Sequence, residues 1–424
     1  ETQELVFEVL KMWIEEYRVD GFRYDFTQGI GWDINEPDKG ILGWANRVAD
    51  EYDNRIYQIA EHLPESPALI FHSGLTGGWH DSFHDEVFDE ARFRNTSLSS
   101  FENRVLDLGA FPSNDTPSTP TRYGDRTEPV NMNVNHDEQS LIFEMVTFQG
   151  VSTADAVQRD KLYATLMFTS LGIPMLWQGM EFSEPRGWRN DGLKLSYRPV
   201  NWNLLEMDRG KVHFEHYQPL IRHRRHNPAL YRGELKKLQR FTTEKILVWG
   251  FDDTVSEEQV MVVANFKGTE QTVSDVQWLG TGDWHNIFDQ SVFSVTQVPL
   301  PSLSIPGYSA LVFASSPDSV VVSVPPGPIQ APSTFQLYQN YPNPVNPETT
   351  IRFDLPESGH VRLSIYNMLG QKIRTLLNEI RSAGQYSIRW DGKNDFGSEV
   401  SSGVYIVRMT VGEIVKSRKL LKLK

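Results

Sequence analysis

Three carboxylates stand where short strand-like runs end. Asp25 follows Val19-Asp20-Gly21-Phe22-Arg23-Tyr24, Glu61 follows Arg55-Ile56-Tyr57-Gln58-Ile59-Ala60, and Asp137 follows Val130-Asn131-Met132-Asn133-Val134-Asn135-His136. Side chains alternate across a strand, so Arg23 and Asp25 point the same way and Tyr24 the other. A cation beside Asp25 depresses its pKa and keeps it ionised, as a nucleophile must be. Glu61 has to be protonated to act as an acid, which asks for a less polar setting. One carboxylate attacking an anomeric carbon while a second protonates the leaving oxygen is the machinery of glycoside hydrolysis. A third, Asp137, can hold the substrate and stabilise positive charge at the same carbon. The plainer reading of Arg23 and Asp25 is a structural ion pair within a strand.

The elements around these residues must put all three carboxylates on one rim. Residues 1–232 alternate helix and short buried strand. Leu5, Val6, Val9, Leu10, Trp13, Ile14 and Tyr17 recur at helical spacing ahead of the first strand. Pro37 to Asp53 reads as helix, Ala68 to His72 as a strand-like run, and Gly77-Gly78-Trp79-His80-Asp81 as loop. Asp85 to Leu108 reads as mainly helical, and 111–123 as a Pro/Ser/Thr-rich loop. Ser152 caps a helix running to Ser170, stopped by Gly172, and Ile173 to Gln178 is a further buried strand. A last helix spans about Gly210 to Arg225. This alternation implies a parallel sheet with helical crossovers, its strand ends sharing one face.

From 233 to 314 the period changes to two, with strands at 245–250, 259–265 and 308–313, which reads as an antiparallel sandwich. Residues 315–333, with Pro317, Pro325, Pro326, Pro328 and Pro332, form a linker biased to extended conformations. Residues 334–424 read as a small all-β unit with strands at 349–354, 361–366, 385–390 and 404–411.

Composition bounds the function classes. A chain of 424 residues suggests two to four domains. The formal charge of −14 argues against nucleic acid or an anionic membrane as the main partner. No cysteine is present, which excludes disulfides and thiolate chemistry. No apolar run is long enough to span a membrane as a helix. The 11 Trp and 15 Tyr suit stacking on sugar rings, or equally the filling of cores.

Gly21-Phe22-Arg23-Tyr24-Asp25 resembles the second signature region of the α-amylase family, glycoside hydrolase family 13. Ile59-Ala60-Glu61 resembles its third and Asn135-His136-Asp137 its fourth, in the same order and with the same strand-end placement. The resemblance covers roughly residues 1–314 and implies an α/β fold: the second half of a TIM (β/α)8 barrel, followed by the family's antiparallel β-domain. It implies a retaining enzyme on α-linked glucans, with Asp25 as nucleophile, Glu61 as acid/base and Asp137 as transition-state stabiliser. Arg23 would orient Asp25, and His136 would donate to substrate hydroxyls. Trp79 and His80 would contact sugar from a loop.

The departures also carry expectations. The family's first signature has no match, so its first three strands are expected upstream. The chain, starting at Glu1 with a helix, reads as a segment of a longer precursor. Gln28 and Gly29 stand where many relatives carry a Lys-His pair that helps bind calcium, so a structural Ca²⁺ lacks its usual ligand positions. Tyr338 to Pro347, Ile365-Tyr366-Asn367-Met368-Leu369-Gly370-Gln371 and Ser402-Gly403-Val404-Tyr405 resemble a type IX secretion sorting domain. That implies export, with the type IX machinery as a partner and a secreted or surface-attached product. The basic residues Lys416, Arg418, Lys419, Lys422 and Lys424 fit such a tail, or simply an edge strand guarded by lysines.

Smaller features have two readings each. His80 and His84 have the spacing of a helical metal pair, although the flanking glycines favour a sugar-contacting loop. Trp79, Trp177 and Trp188 are stacking platforms or packing residues. His62, Glu138 and Glu181 read as supporting residues near strand ends. The function most consistent with these residues is an α-amylase-like hydrolase. The alternatives are a branching or other transglycosylating enzyme, and a glucan-binding protein without turnover.

Overall fold

The computed structural model describes residues 1–33, 35–36, 38–52, 56–94, 96–110, 121–185, 199–317, 335–340, 343–412 and 414–423. Trp188, Arg55 and most of the 315–333 linker lie outside them. The chain divides into two compact units, Glu1–Asp318 and Ser319–Lys424.

The first unit opens with helix α1 (Thr2–Glu15), strand β1 (Gly21–Tyr24), the short α2 (Thr27–Ile30) and α3 (Gly40–Tyr52). Then come β2 (Tyr57–Ala60), α4 (Pro67–Phe71), β3 (Gly77–Trp79), α5 (Asp81–Ala91), α6 (Leu98–Arg104) and β4 (Pro129–Asn131). Helices α7 (Leu141–Phe148) and α8 (Thr153–Phe168), strand β5 (Ile173–Pro174), α9 (Asp208–His226) and α10 (Pro228–Tyr231) complete the alternating part. Strands β1 to β5 pair in sequence order as one parallel sheet. Their carboxyl ends therefore face one side, which is what the carboxylates require. The first pairing is close: a side chain at Gly21 would meet the Tyr57 carbonyl at 2.3 Å, so only glycine fits there.

Five local expectations change, one being that the buried strand expected over Ile173 to Gln178 is the half-buried pair Ile173–Pro174. Residues 68–71 belong to a helix, because Ser66 caps it by accepting the Leu69 N–H and Pro67 occupies the first turn. Residues 77–79 are strand rather than loop. The run expected to be strand through Asn135 leaves the ladder after Asn131, since its partner β5 is only two residues long and the Met175 N–H to Asn131 carbonyl bond is the last rung. On α1 the buried residues are Phe7 and Leu10, while Leu5, Val9, Trp13 and Tyr17 of the apolar stripe are exposed. Ser152 does cap α8, accepting the Asp155 N–H at 3.1 Å.

The period-two region forms a six-stranded antiparallel sheet in the order β11-β10-β13-β8-β7-β6, with β9 and β12 paired beside it. The strands are β6 (Glu234–Phe241), β7 (Ile246–Asp253), β8 (Glu258–Asn265), β9 (Gln271–Val273), β10 (Gly282–Asn286), β11 (Val292–Val295), β12 (Leu303–Ile305) and β13 (Ser309–Ala314). One face shares a core with the helices: Trp249, Phe251, Val260 and Val262 pack with Tyr163, Leu166 and Met167 of α8. The buried Trp249 indole donates to the Thr169 carbonyl at 2.7 Å, a bond that the apolar surroundings require.

The second unit holds β14 (Gln336–Leu337), β15 (Thr349–Leu355), β16 (Gly359–Asn367), β17 (Lys372–Arg381), β18 (Gly384–Trp390), β19 (Gly403–Val411) and β20 (Ile414–Lys422). They form sheets ordered β14-β15-β18 and β17-β16-β19-β20 around Trp390, Phe353, Leu363 and Val407. The basic tail is the edge strand β20, where Lys416, Arg418 and Lys419 are exposed, in keeping with an edge guarded by charge.

Candidate active site

The site grows from the ends of β1 and β2. Arg23 is the third residue of β1, and its side chain reaches over the rim. Nη1 hydrogen-bonds Asp25, and Nη2 lies 2.8 Å from Glu61 Oε2, an ion pair by proximity without hydrogen-bond alignment. The guanidinium sits over the Trp79 ring, 4.2 Å from its centre, so the aromatic face backs the cation. The Trp79 ring also meets His136 edge-on at 5.8 Å, and His136 lies 6.1 Å from Trp177. His136 Nε2 is 3.3 Å from Asp137 Oδ2, and the Asp137 N–H donates to Asn135 Oδ1 at 2.7 Å. Arg23, Asp25, Glu61, Trp79 and His136 are thus brought together, and Asp137 joins them through His136.

The two carboxylates on Arg23 live in different surroundings. The Asp25 side chain is 77% exposed and that of Glu61 only 9%. The hydrogen bond from Arg23 holds the Asp25 carboxyl below its ordinary value, helped by a hydrogen bond with Glu61 and by the Arg23 charge. Glu61 Oε2 additionally accepts the Phe26 backbone N–H at 2.7 Å. An ionised, accessible carboxylate beside a sheltered one is an arrangement able to divide nucleophile and acid between two residues.

Two expected sugar contacts are corrected. His80 is fully buried, with Nδ1 2.7 Å from Asn131 Oδ1 and Nε2 3.0 Å from the Gly109 carbonyl, so neither nitrogen is available to a substrate. Trp79 is 6% exposed and one face is covered by Arg23, which makes it a support for the cation rather than a stacking platform. The His80–His84 metal pair fails for the same reason. His84 is buried with Nδ1 3.1 Å from the Asn133 carbonyl, and burial pushes its pKa down to about 4. Among the described residues no three His, Cys, Asp or Glu side chains gather as a metal site.

The remaining strand-end residues act locally. Glu181 Oε2 accepts the Gly179 N–H at 2.9 Å. His62 Nδ1 lies 3.0 Å from Thr27 Oγ1. Phe26 and Thr27, both bonded to Glu61, escape sequence reasoning because nothing in their residue types marks them.

Comparison with known proteins follows the same division. The chain is 25% identical over 211 residues to a malto-oligosyltrehalose trehalohydrolase of Rhizobium sp., covering 44% of this chain and 35% of that protein. It is 23% identical over 283 residues to a cyclomaltodextrinase of Thermoanaerobacter pseudethanolicus, covering 64% and 42%. The chain thus spans well under half the length of either relative. An α-amylase structure from Anoxybacillus superposes with a TM-score of 0.56 at 17% identity, covering 75% of this chain and 64% of that one. Residues 345–413 match the FlgD Ig-like domain. Over three quarters of its length the chain therefore shares the fold of an α-amylase, its relatives are amylase-type glycoside hydrolases, and an Ig-like domain follows.

Proposed function

We propose that the protein is a retaining α-glucan hydrolase that cleaves α-1,4-glucosidic bonds through a covalent glycosyl-enzyme intermediate. The observation that carries this reading is the single guanidinium of Arg23 set between an exposed Asp25, held below its ordinary carboxyl value, and a sheltered Glu61. The names of the relatives, enzymes of malto-oligosaccharide and cyclomaltodextrin chemistry, are in keeping with it.

A glucan enters between the two carboxyls and displaces their mutual contact. An Asp25 oxygen attacks the anomeric carbon, the glycosidic C–O bond breaks, and the leaving oxygen takes the proton of Glu61. Glu61, now a carboxylate, removes a proton from water as the water oxygen attacks the same carbon. Asp25 leaves as a carboxylate and Glu61 is protonated again. Asp137 stabilises the positive charge that develops at the anomeric centre, and His136, half-buried at the rim, donates to the sugar hydroxyls.

Incubating the chain with soluble starch tests the reading, with reducing ends and iodine staining followed together. Rising reducing ends with fading stain establishes hydrolysis. Fading stain without new reducing ends identifies a branching transferase, which shares the covalent intermediate. Starch retained with neither change leaves a glucan-binding protein.

The Ig-like unit is read as a type IX secretion sorting module on an exported enzyme, a reading supported by its β-fold and its basic final strand. Export that persists after removal of residues 335–424 would exclude it.

A further inference from the structure

We infer that Phe26 and Thr27 are positioning residues for Glu61, acting through a one-residue bulge in the parallel ladder. This inference rests on the reading of Glu61 as proton donor. The ladder between β1 and β2 runs regularly up to the bond from the Glu61 N–H to the Tyr24 carbonyl, 2.9 Å. In a parallel pair the next bond returns to the Glu61 carbonyl from the residue two beyond Tyr24, which is Phe26. Here the donor is Thr27, at 2.8 Å, so one residue is inserted.

Two consequences follow from that extra residue. Phe26 takes the left-handed backbone conformation (φ 44°, ψ 53°), uncommon for an aromatic residue, and its released N–H turns to the Glu61 carboxylate at 2.7 Å. A ladder donor has become a donor that orients the acid. Bulges beside active sites commonly re-aim groups in this way, and strained backbone gathers where function needs it.

Thr27 fastens the bulge. It is fully buried, and its hydroxyl donates to the Glu61 carbonyl at 2.9 Å while lying 3.0 Å from His62 Nδ1. A hydroxyl has one proton, so with that proton on the Glu61 carbonyl, Oγ1 accepts from His62 Nδ1–H. Residue 61 is thus gripped at its carboxylate by Phe26 and at its carbonyl by both the amide and the hydroxyl of Thr27.

The test separates acid positioning from general damage by the leaving group. Fluoride departs without a proton, whereas a glucan leaving oxygen needs one, and kcat/KM reports the first bond-breaking step. Thr27→Val keeps the shape and removes the hydroxyl. It is expected to lower kcat/KM on maltotetraose about tenfold and to leave kcat/KM for fluoride release from α-maltosyl fluoride within about twofold. Thr27→Ser, which restores the hydroxyl, is expected to recover the maltotetraose rate. Equal losses on the two substrates, or no loss on either, overturn the inference. A wild-type chain inactive on both overturns the hydrolase reading itself, and the inference with it.

Discussion

Nη2 of Arg23 lies 2.8 Å from Oε2 of Glu61 while Nη1 of the same guanidinium holds Asp25. One planar cation therefore sets the positions of both carboxyls that the proposed reaction uses, with Trp79 beneath it as a backing. Lysine has the charge but lacks the fork and the flat face that lies on the indole. Arg23→Lys is expected to lower kcat on maltotetraose on the order of a hundred-fold, with KM changed little, because alignment matters most in the transition state. A KM change that accounts for the whole loss would instead make Arg23 a plain binding residue.

The same contact is expected to set the acid limit of the proposed hydrolysis. Asp25 is held below its ordinary value of 3.8, first by the hydrogen bond from Arg23. A depressed carboxyl stays ionised at pH values where a free one takes up a proton, so the nucleophile persists as pH falls through 3.8. The acid limb of kcat/KM is expected below pH 3.8 in the wild type and to move upward in Arg23→Gln. Brief assays from buffered neutral stock measure it without long acid exposure, and an unmoved limb would exclude Arg23 as the cause.

Asp25, Glu61, Arg23 and their strand ends were legible in the sequence because local motifs and short strands determine them. His80 departs from the sugar-contacting reading, and Trp79 takes the packing one of its two readings, because their burial is decided far along the chain. Asn131 and Gly109 close on the His80 ring from 51 and 29 residues away, and Arg23 covers Trp79 from another strand. The grip of Phe26 and Thr27 on Glu61 was invisible for the same reason, since it depends on ladder register between segments 34 and 35 residues apart. The short apolar run 68–72 fits helix or strand equally by pattern, and its true signal was the cap at Ser66. Strand β20 is one of the two readings of the basic tail, and its bounds stay hidden because on an exposed edge charge masks the alternation.

Asp81 offers a test of stability against pH. Burial, with Asp85, Glu65 and Glu138 nearby, raises its pKa from 3.8 to about 7. Between these values the unfolded chain has released the proton that the folded chain still holds. The contribution of Asp81 to stability therefore falls as pH rises from 3.8 to 7 and levels off above. Asp81→Asn carries no charge at any pH. It is expected to leave Tm unchanged at pH 3.5 and to raise it at pH 8, by an amount worth at most about 4 kcal/mol at about 1.4 kcal/mol per pKa unit. A gain equal at both pH values would assign the effect to packing instead of charge.

Trp390 gives the corresponding test for the second unit. Its side chain is fully buried among Phe353, Leu363 and Val407, its indole donates to the Lys393 carbonyl at 2.9 Å, and its ring meets Tyr405 edge-on at 5.8 Å. Replacing a buried Trp by Ala removes its apolar contacts, leaves a cavity and strands the Lys393 carbonyl, at a cost of about 3–5 kcal/mol. That approaches the whole stability of a small domain, typically about 5–15 kcal/mol. Because each unit has its own core, calorimetry of Trp390→Ala should show one transition lowered by roughly 15 °C or more, at about 4–8 °C per kcal/mol. The transition of the Asp25–Glu61 unit should stay in place, and with it turnover of starch. A common downward shift of both transitions would mean that the two units fold as one.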